Sequence, residues 1–115
     1  LDVIQDEKLM ENAARVGKII RDGFADLAQR YVRIGDVRGS GLYIGVELVT
    51  DRNTKSPDPQ AAAAVVNNLR ERRVLISATG PNANVLKIRP PLVFSAADAD
   101  RLLTEAAAVF AELPN

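Results

Sequence analysis

The sequence predicts an α+β domain of two layers, with an antiparallel sheet of three or four strands and helices packed on one face. Three observations carry this. Apolar residues recur at steps of three and four in three segments, and at steps of two between them. The resulting order is helix, two strands, helix, two strands, helix. Each strand pair is joined closely enough for a hairpin, whereas parallel pairs need a long crossover.

In the first helix Leu9, Ala13, Val16, Ile20, Phe24 and Leu27 line one face, and Arg15, Lys18, Arg21, Asp22 and Asp26 take much of the other. Gly17 and Gly23 each cost a helix about 1 kcal/mol relative to alanine, so they mark either close packing or tolerated sites. Apolar residues at its start, Val3 and Ile4 among them, have no evident partner. Leu1–Met10 is therefore expected to fray or to pack against a neighbouring copy.

Tyr31–Val37 is the weaker strand candidate, and Arg38-Gly39-Ser40-Gly41 reads as a tight connection. Leu42, Ile44, Val46 and Leu48 then alternate with Tyr43, Gly45 and Glu47, giving a strand with one apolar face. The polar segment Asp51–Asp58 is a surface loop. Asp58 is an N-cap with Pro59 at the first helical position, opening a helix that runs to about Arg72. Ala62, Val65, Val66 and Leu69 form its buried stripe, and Arg70, Arg72 and Arg73 suit the negative end of its dipole.

The second strand pair is Val74–Ala78 and Val85–Arg89, the latter ended by Pro90-Pro91 because proline cannot donate to a ladder. Ser95-x-x-Asp98 resembles a capping box. The helix it opens buries Ala99, Leu102, Leu103, Ala106, Phe110 and Leu113, and Pro114 follows its end.

At 115 residues the chain has the size of one domain, residues 1–115, with enough apolar side chains for a single modest core. Fifteen basic residues balance fifteen acidic ones, which argues against nucleic-acid or membrane-surface partners. No apolar run approaches the roughly 18–20 residues of a spanning helix. With no cysteine there is no disulfide framework or thiolate metal site. With no histidine, the commonest hydrolase mechanisms and histidine metal sites are excluded. The chain opens on Leu1 with no basic n-region before an apolar stretch, so it does not read as a signal peptide. We expect a piece of a longer polypeptide.

Chemistry concentrates in Asn84-Val85-Leu86-Lys87-Ile88-Arg89-Pro90-Pro91-Leu92. On a strand Val85, Lys87 and Arg89 share one face, which puts two cations about 7 Å apart at the strand's end. Two readings stand. One is a solvated sheet edge, charged to discourage edge-to-edge pairing. The other is an anion site, with Arg89 as a bidentate fork and Lys87 as a point charge for a carboxylate or phosphate. Arg38 either serves the turn structurally, as a solvated charge or a donor to loop carbonyls, or faces a cleft. Glu47, opposite the apolar face of its strand, reads as a surface or interface charge, and Asp98 as a cap.

Arg38-Gly39-Ser40-Gly41-Leu42 leading into Ile44-Gly45-Val46-Glu47-Leu48 resembles the R-G-x-G-L…G-[VI]-E-[LF] signature of class III aminotransferases. Val74-Leu75-Ile76, Thr79-Gly80-Pro81 and the stretch from Asn84 to Leu92 resemble that family's closing motif. The resemblance spans essentially the whole chain. It implies the C-terminal small domain of a fold-type I enzyme that uses pyridoxal phosphate. In many members an arginine three residues before the proline pair binds the substrate carboxylate. Here that position holds Lys87, with Arg89 directly before the prolines, as in the alanine–glyoxylate aminotransferase and phospholyase branch.

The resemblance further implies a cytoplasmic, homodimeric enzyme in which this domain closes the active-site cleft beside a larger cofactor-binding domain. Lys87 and Arg89 would meet an anionic substrate group during amino-group transfer between an amine or amino acid and a keto acid. The alternatives are phosphate elimination from a phosphorylated amine, and a stand-alone α+β ligand-binding module. Lys8, Lys18, Lys55 and Lys87 all lack the strand-to-loop context of the family's Schiff-base lysine. No catalytic, cofactor-binding or metal-ligating residue is therefore expected within this chain, and by itself it should not transaminate.

Overall fold

Helix α1 (Val3–Arg30) buries Ala13, Val16, Ile20, Phe24 and Leu27, the face that its spacing predicts. It is seen in a computed structural model that describes residues 3–113, with side chains from residue 7 onward. The expectation for Val3 and Ile4 concerns side chains outside the described ones, and Pro114 also lies outside.

After α1 the chain turns into β1 (Ile34–Ser40) and returns through β2 (Tyr43–Asp51). A two-residue strand, β3 (Ser56–Pro57), pairs with the end of β2 inside the segment predicted as a polar loop. Helix α2 (Pro59–Glu71) starts with Pro59 at its first turn. The Asp58 side chain caps it by accepting from the Ala61 N–H at 3.0 Å. Then come β4 (Ser77–Thr79), β5 (Val85–Ile88) and α3 (Ala96–Glu112). Helix α3 opens on a complete capping box. Asp98 N–H donates to Ser95 Oγ at 3.1 Å, and Ser95 N–H donates to the Asp98 carboxylate at 3.0 Å.

The sheet is antiparallel throughout, in the order β1-β2-β5-β4 with β3 on the free part of β2. Ile44, Val46, Leu48, Leu86 and Ile88 point from it into one core shared with all three helices. Among the described residues no buried side-chain polar atom lacks a hydrogen-bond partner. No helix among the described residues is long and apolar enough to cross a membrane.

Three boundaries differ from the sequence reading. Strand β1 runs on through Arg38-Gly39-Ser40, and the connection is only Gly41-Leu42, with Gly41 at φ +57°. A left-handed first turn residue suits a two-residue hairpin, and only glycine adopts it freely. Strand β4 begins at Ser77 because Val74 and Ile76 pack toward the core before the ladder starts. Strand β5 ends at Ile88, one residue short of Arg89. Pro90 has no N–H and biases the residue before it, so pairing stops there.

Candidate functional site

The face of the sheet away from the helices carries charge. Directly paired residues share a face, so Arg38, Gly45, Lys87 and Ser77 form one row across β1, β2, β5 and β4. The next row is Asp36, Glu47, Val85 and Thr79. Arg38 donates to Asp36 at 2.9 Å and to Glu47 at 3.3 Å, with half its side chain exposed. Hydrogen bonds to Asp36 and then Glu47 push its pKa above the ordinary arginine value. Arg38 is thus a strand residue bound to carboxylates, and among the described residues no loop carbonyl is among its hydrogen-bond partners. Glu47, partly exposed on this face, is held by Arg38. Lys87, opposite Gly45 and only partly exposed, makes no ion pair among the described residues.

Arg89 is placed differently. Past the end of the ladder, it lines a cavity of about 200 Å³ between the end of β5, the segment Arg73–Ile76 and the first turns of α3. Ile88, Pro90, Pro91 and Phe94 supply apolar wall. Lys87 is not part of that lining. The strand alternation places Lys87 on the face away from the core, while Arg89 escapes the alternation because the strand has already stopped.

Several residues that the sequence reading passed over hold this region. Asn12 on α1 donates from its side-chain amide to the carbonyls of Leu92 at 3.0 Å and Phe94 at 2.8 Å, tying down the loop after the prolines. Nothing local marks it, since its partners lie eighty residues away. Asn84 is buried and donates to the Leu48 carbonyl at 2.9 Å, while its own carbonyl accepts from Leu48 N–H at 2.8 Å. Together these bonds fix the register with which β5 enters the sheet. Arg21 on α1 donates to the Gly39 carbonyl at 3.4 Å, tying the helix to the hairpin.

Pyridoxal phosphate takes a lysine held in an enclosed site. Lys8 and Lys55 are exposed, and Lys18 is largely exposed and paired with Asp22 at 2.6 Å. Lys87 stands on the open face of the sheet. None of these settings fits the cofactor's anchor. Nor, among the described residues, do acidic side chains cluster as metal ligands.

A sequence model of the class III aminotransferases matches residues 1–110. Alanine–glyoxylate aminotransferase 2-like of Drosophila melanogaster is 44% identical over 102 residues, covering 88% of this chain and 21% of the relative. Ethanolamine-phosphate phospho-lyase homolog 1 of Caenorhabditis elegans is 42% identical over 96 residues, covering 83% of this chain and 21% of the relative. Among solved structures, an Arthrobacter phospholyase in complex with phosphoethanolamine superposes with a TM-score of 0.89 at 41% identity. That match covers 96% of this chain and 26% of the other. The chain therefore spans about a fifth to a quarter of the length of the proteins it matches.

Proposed function

The chain belongs to the class III aminotransferase family, and on that premise we propose that residues 1–115 form the C-terminal small domain of a longer pyridoxal-phosphate enzyme. Its task is on the substrate side. It closes the active-site cleft, and Arg89 and Lys87 meet the anionic group of an amine or amino acid whose amino group passes to a keto acid. The cofactor and its lysine belong to the larger part of the same polypeptide, because the lysines of this chain do not fit that role. The full-length enzyme is, on this reading, a cytoplasmic homodimer.

The observation that carries the reading is the placement of Arg89. It lies directly after β5 and before a proline pair whose loop Asn12 holds in place, and its guanidinium is unpaired by carboxylates among the described residues. A fixed backbone carrying an uncommitted fork suits recognition of a carboxylate or phosphate. A second reading, phosphate elimination from a phosphorylated amine, draws support from the Arthrobacter phospholyase and its phosphoethanolamine.

The test is substrate affinity of the full-length enzyme after Arg89→Ala, Lys87→Ala and the double substitution. A charge-assisted hydrogen bond is worth about 1.5–3 kcal/mol, so losing one raises the substrate dissociation constant roughly 10- to 150-fold. Cofactor binding should barely change. If both residues grip one anion, their effects are non-additive. Parent-like substrate affinity in both single variants would place the anion site elsewhere and reduce the pair to a charged sheet edge.

A further inference from the structure

The segment between Arg89 and the start of α3 has little apolar burial to hold it. Of Leu92, Val93 and Phe94, the first two are exposed and only the third packs against the core. Its order rests on polar contacts instead. The Phe94 N–H donates to the Pro91 carbonyl at 3.0 Å, which closes a turn over Pro91–Phe94. The Leu92 and Phe94 carbonyls both accept from the side-chain amide of Asn12. Among the described residues no other side chain bonds the backbone of Arg89–Phe94.

Asn12 is costly where it stands. It lies inside α1, where asparagine propagates a helix less well than the neighbouring Ala13 and Ala14. Its orientation is fixed as well. Arg15, on the next turn, donates to its Oδ1 at 3.0 Å, which leaves the Nδ2 donors facing the loop.

The chain between this clamp and Arg89 is stiff. Pro90 and Pro91 have fixed φ, and each restricts the residue before it to extended backbone, so Arg89 and Pro90 lose the helical region. A displacement of the loop is therefore passed along the proline pair rather than absorbed by it. On its other side Arg89 follows Ile88, which is paired with Ile44 in the ladder.

We propose that Asn12 is a positioning residue for anion recognition, setting through the clamped loop and the proline pair where the backbone of Arg89 stands. The proposal rests on the reading that Arg89 meets the substrate's anionic group, and it adds a residue of α1 that acts through Arg89. An asparagine that only held the fold would, when lost, weaken charged and uncharged ligands alike, or neither.

The experiment compares the full-length enzyme with its Asn12→Ala, Arg89→Ala and doubly substituted variants. Asn12 is partly exposed and alanine favours the helix, so Asn12→Ala folds. Hydrogen exchange of the peptide spanning Arg89–Phe94 should quicken at least about fivefold in Asn12→Ala. Dissociation constants are measured for L-alanine and phosphoethanolamine, and for isopropylamine and ethanolamine, their counterparts without the anionic group. For whichever anion-bearing amine the parent binds more tightly, Asn12→Ala should raise the constant roughly 5- to 20-fold. The counterpart without the anion should stay within about twofold, and in the Arg89→Ala background Asn12→Ala should add nothing. Unchanged exchange, equal loss for the two kinds of amine, or a full further loss in the Arg89→Ala background would each overturn the proposal. If Arg89→Ala weakens the anion and Asn12→Ala does not, Asn12 is only a staple and the reading of Arg89 stands. If Arg89→Ala binds the anion like the parent, or the parent binds neither anion, that reading fails and the proposal with it.

Discussion

Gly17 shows how closely single residues set this fold. A β-carbon there would lie 1.9 Å from the Gly41 carbonyl oxygen, so α1 and the β1–β2 turn touch backbone to backbone. The obstacle is main chain and cannot rotate away. Gly17→Ala should therefore destabilise the chain by about 1–3 kcal/mol, despite the better helix propensity of alanine, and chemical denaturation would measure it. Asp58 is a second such point. It caps α2 and accepts from Arg33 at 2.6 Å, with 9% of its side chain exposed. Asp58→Ala should cost about 1–3 kcal/mol, below the figure for a fully buried pair because Arg33 keeps 26% of its side chain in water. The two residues were not equally legible. Asp58 before proline announces a cap from sequence alone, whereas Gly17 is ambiguous until Gly41 is placed against it. Arg73 is harder still, since a favourable charge at a helix end conceals its left-handed backbone.

At the scale of elements, the helices could be read because their periodicity and caps are local. The capping box of α3 is the clearest case, and it carries a pH dependence. The Ser95 backbone N–H, and then its hydroxyl, hold the Asp98 carboxyl below the ordinary aspartate range. A lowered native pKa contributes stability that is complete above the ordinary value and disappears as pH falls through the lowered one. Asp98→Asn keeps an acceptor but cannot titrate. The parent's advantage in thermal midpoint over this variant should thus shrink on acidification across that window, and an advantage independent of pH would contradict the account. Strand ends were less legible. The stop of β5 at Ile88 depends on what the ladder does at Pro90, and the extension of β1 to Ser40 depends on a turn that Gly41 and Leu42 share. This one-residue difference is why Arg89 and Lys87, read as neighbours on one strand face, stand in different surroundings.

For the whole molecule, the layering followed from pattern because the β1–β2 and β4–β5 connections are short and the apolar alternation of β2 admits one buried face. The site was legible as a stretch of sequence but not as a volume. Asn12, Arg73 and Arg101 reach the region around Arg89 from α1, the turn after α2 and α3, and no local spacing joins them. The chain covers only about a fifth to a quarter of the relatives it matches. Its lysines are exposed, ion-paired or set on an open sheet face. What we propose is a division of labour, with substrate contacts in this chain and the cofactor's lysine elsewhere in a longer polypeptide. The most direct measurement is borohydride reduction of the full-length polypeptide carrying this chain, with the modified peptide then mapped by mass spectrometry. We expect one pyridoxyl-lysine, on a residue outside these 115. A stoichiometric adduct on Lys8, Lys18, Lys55 or Lys87, or no adduct at all, would contradict the account.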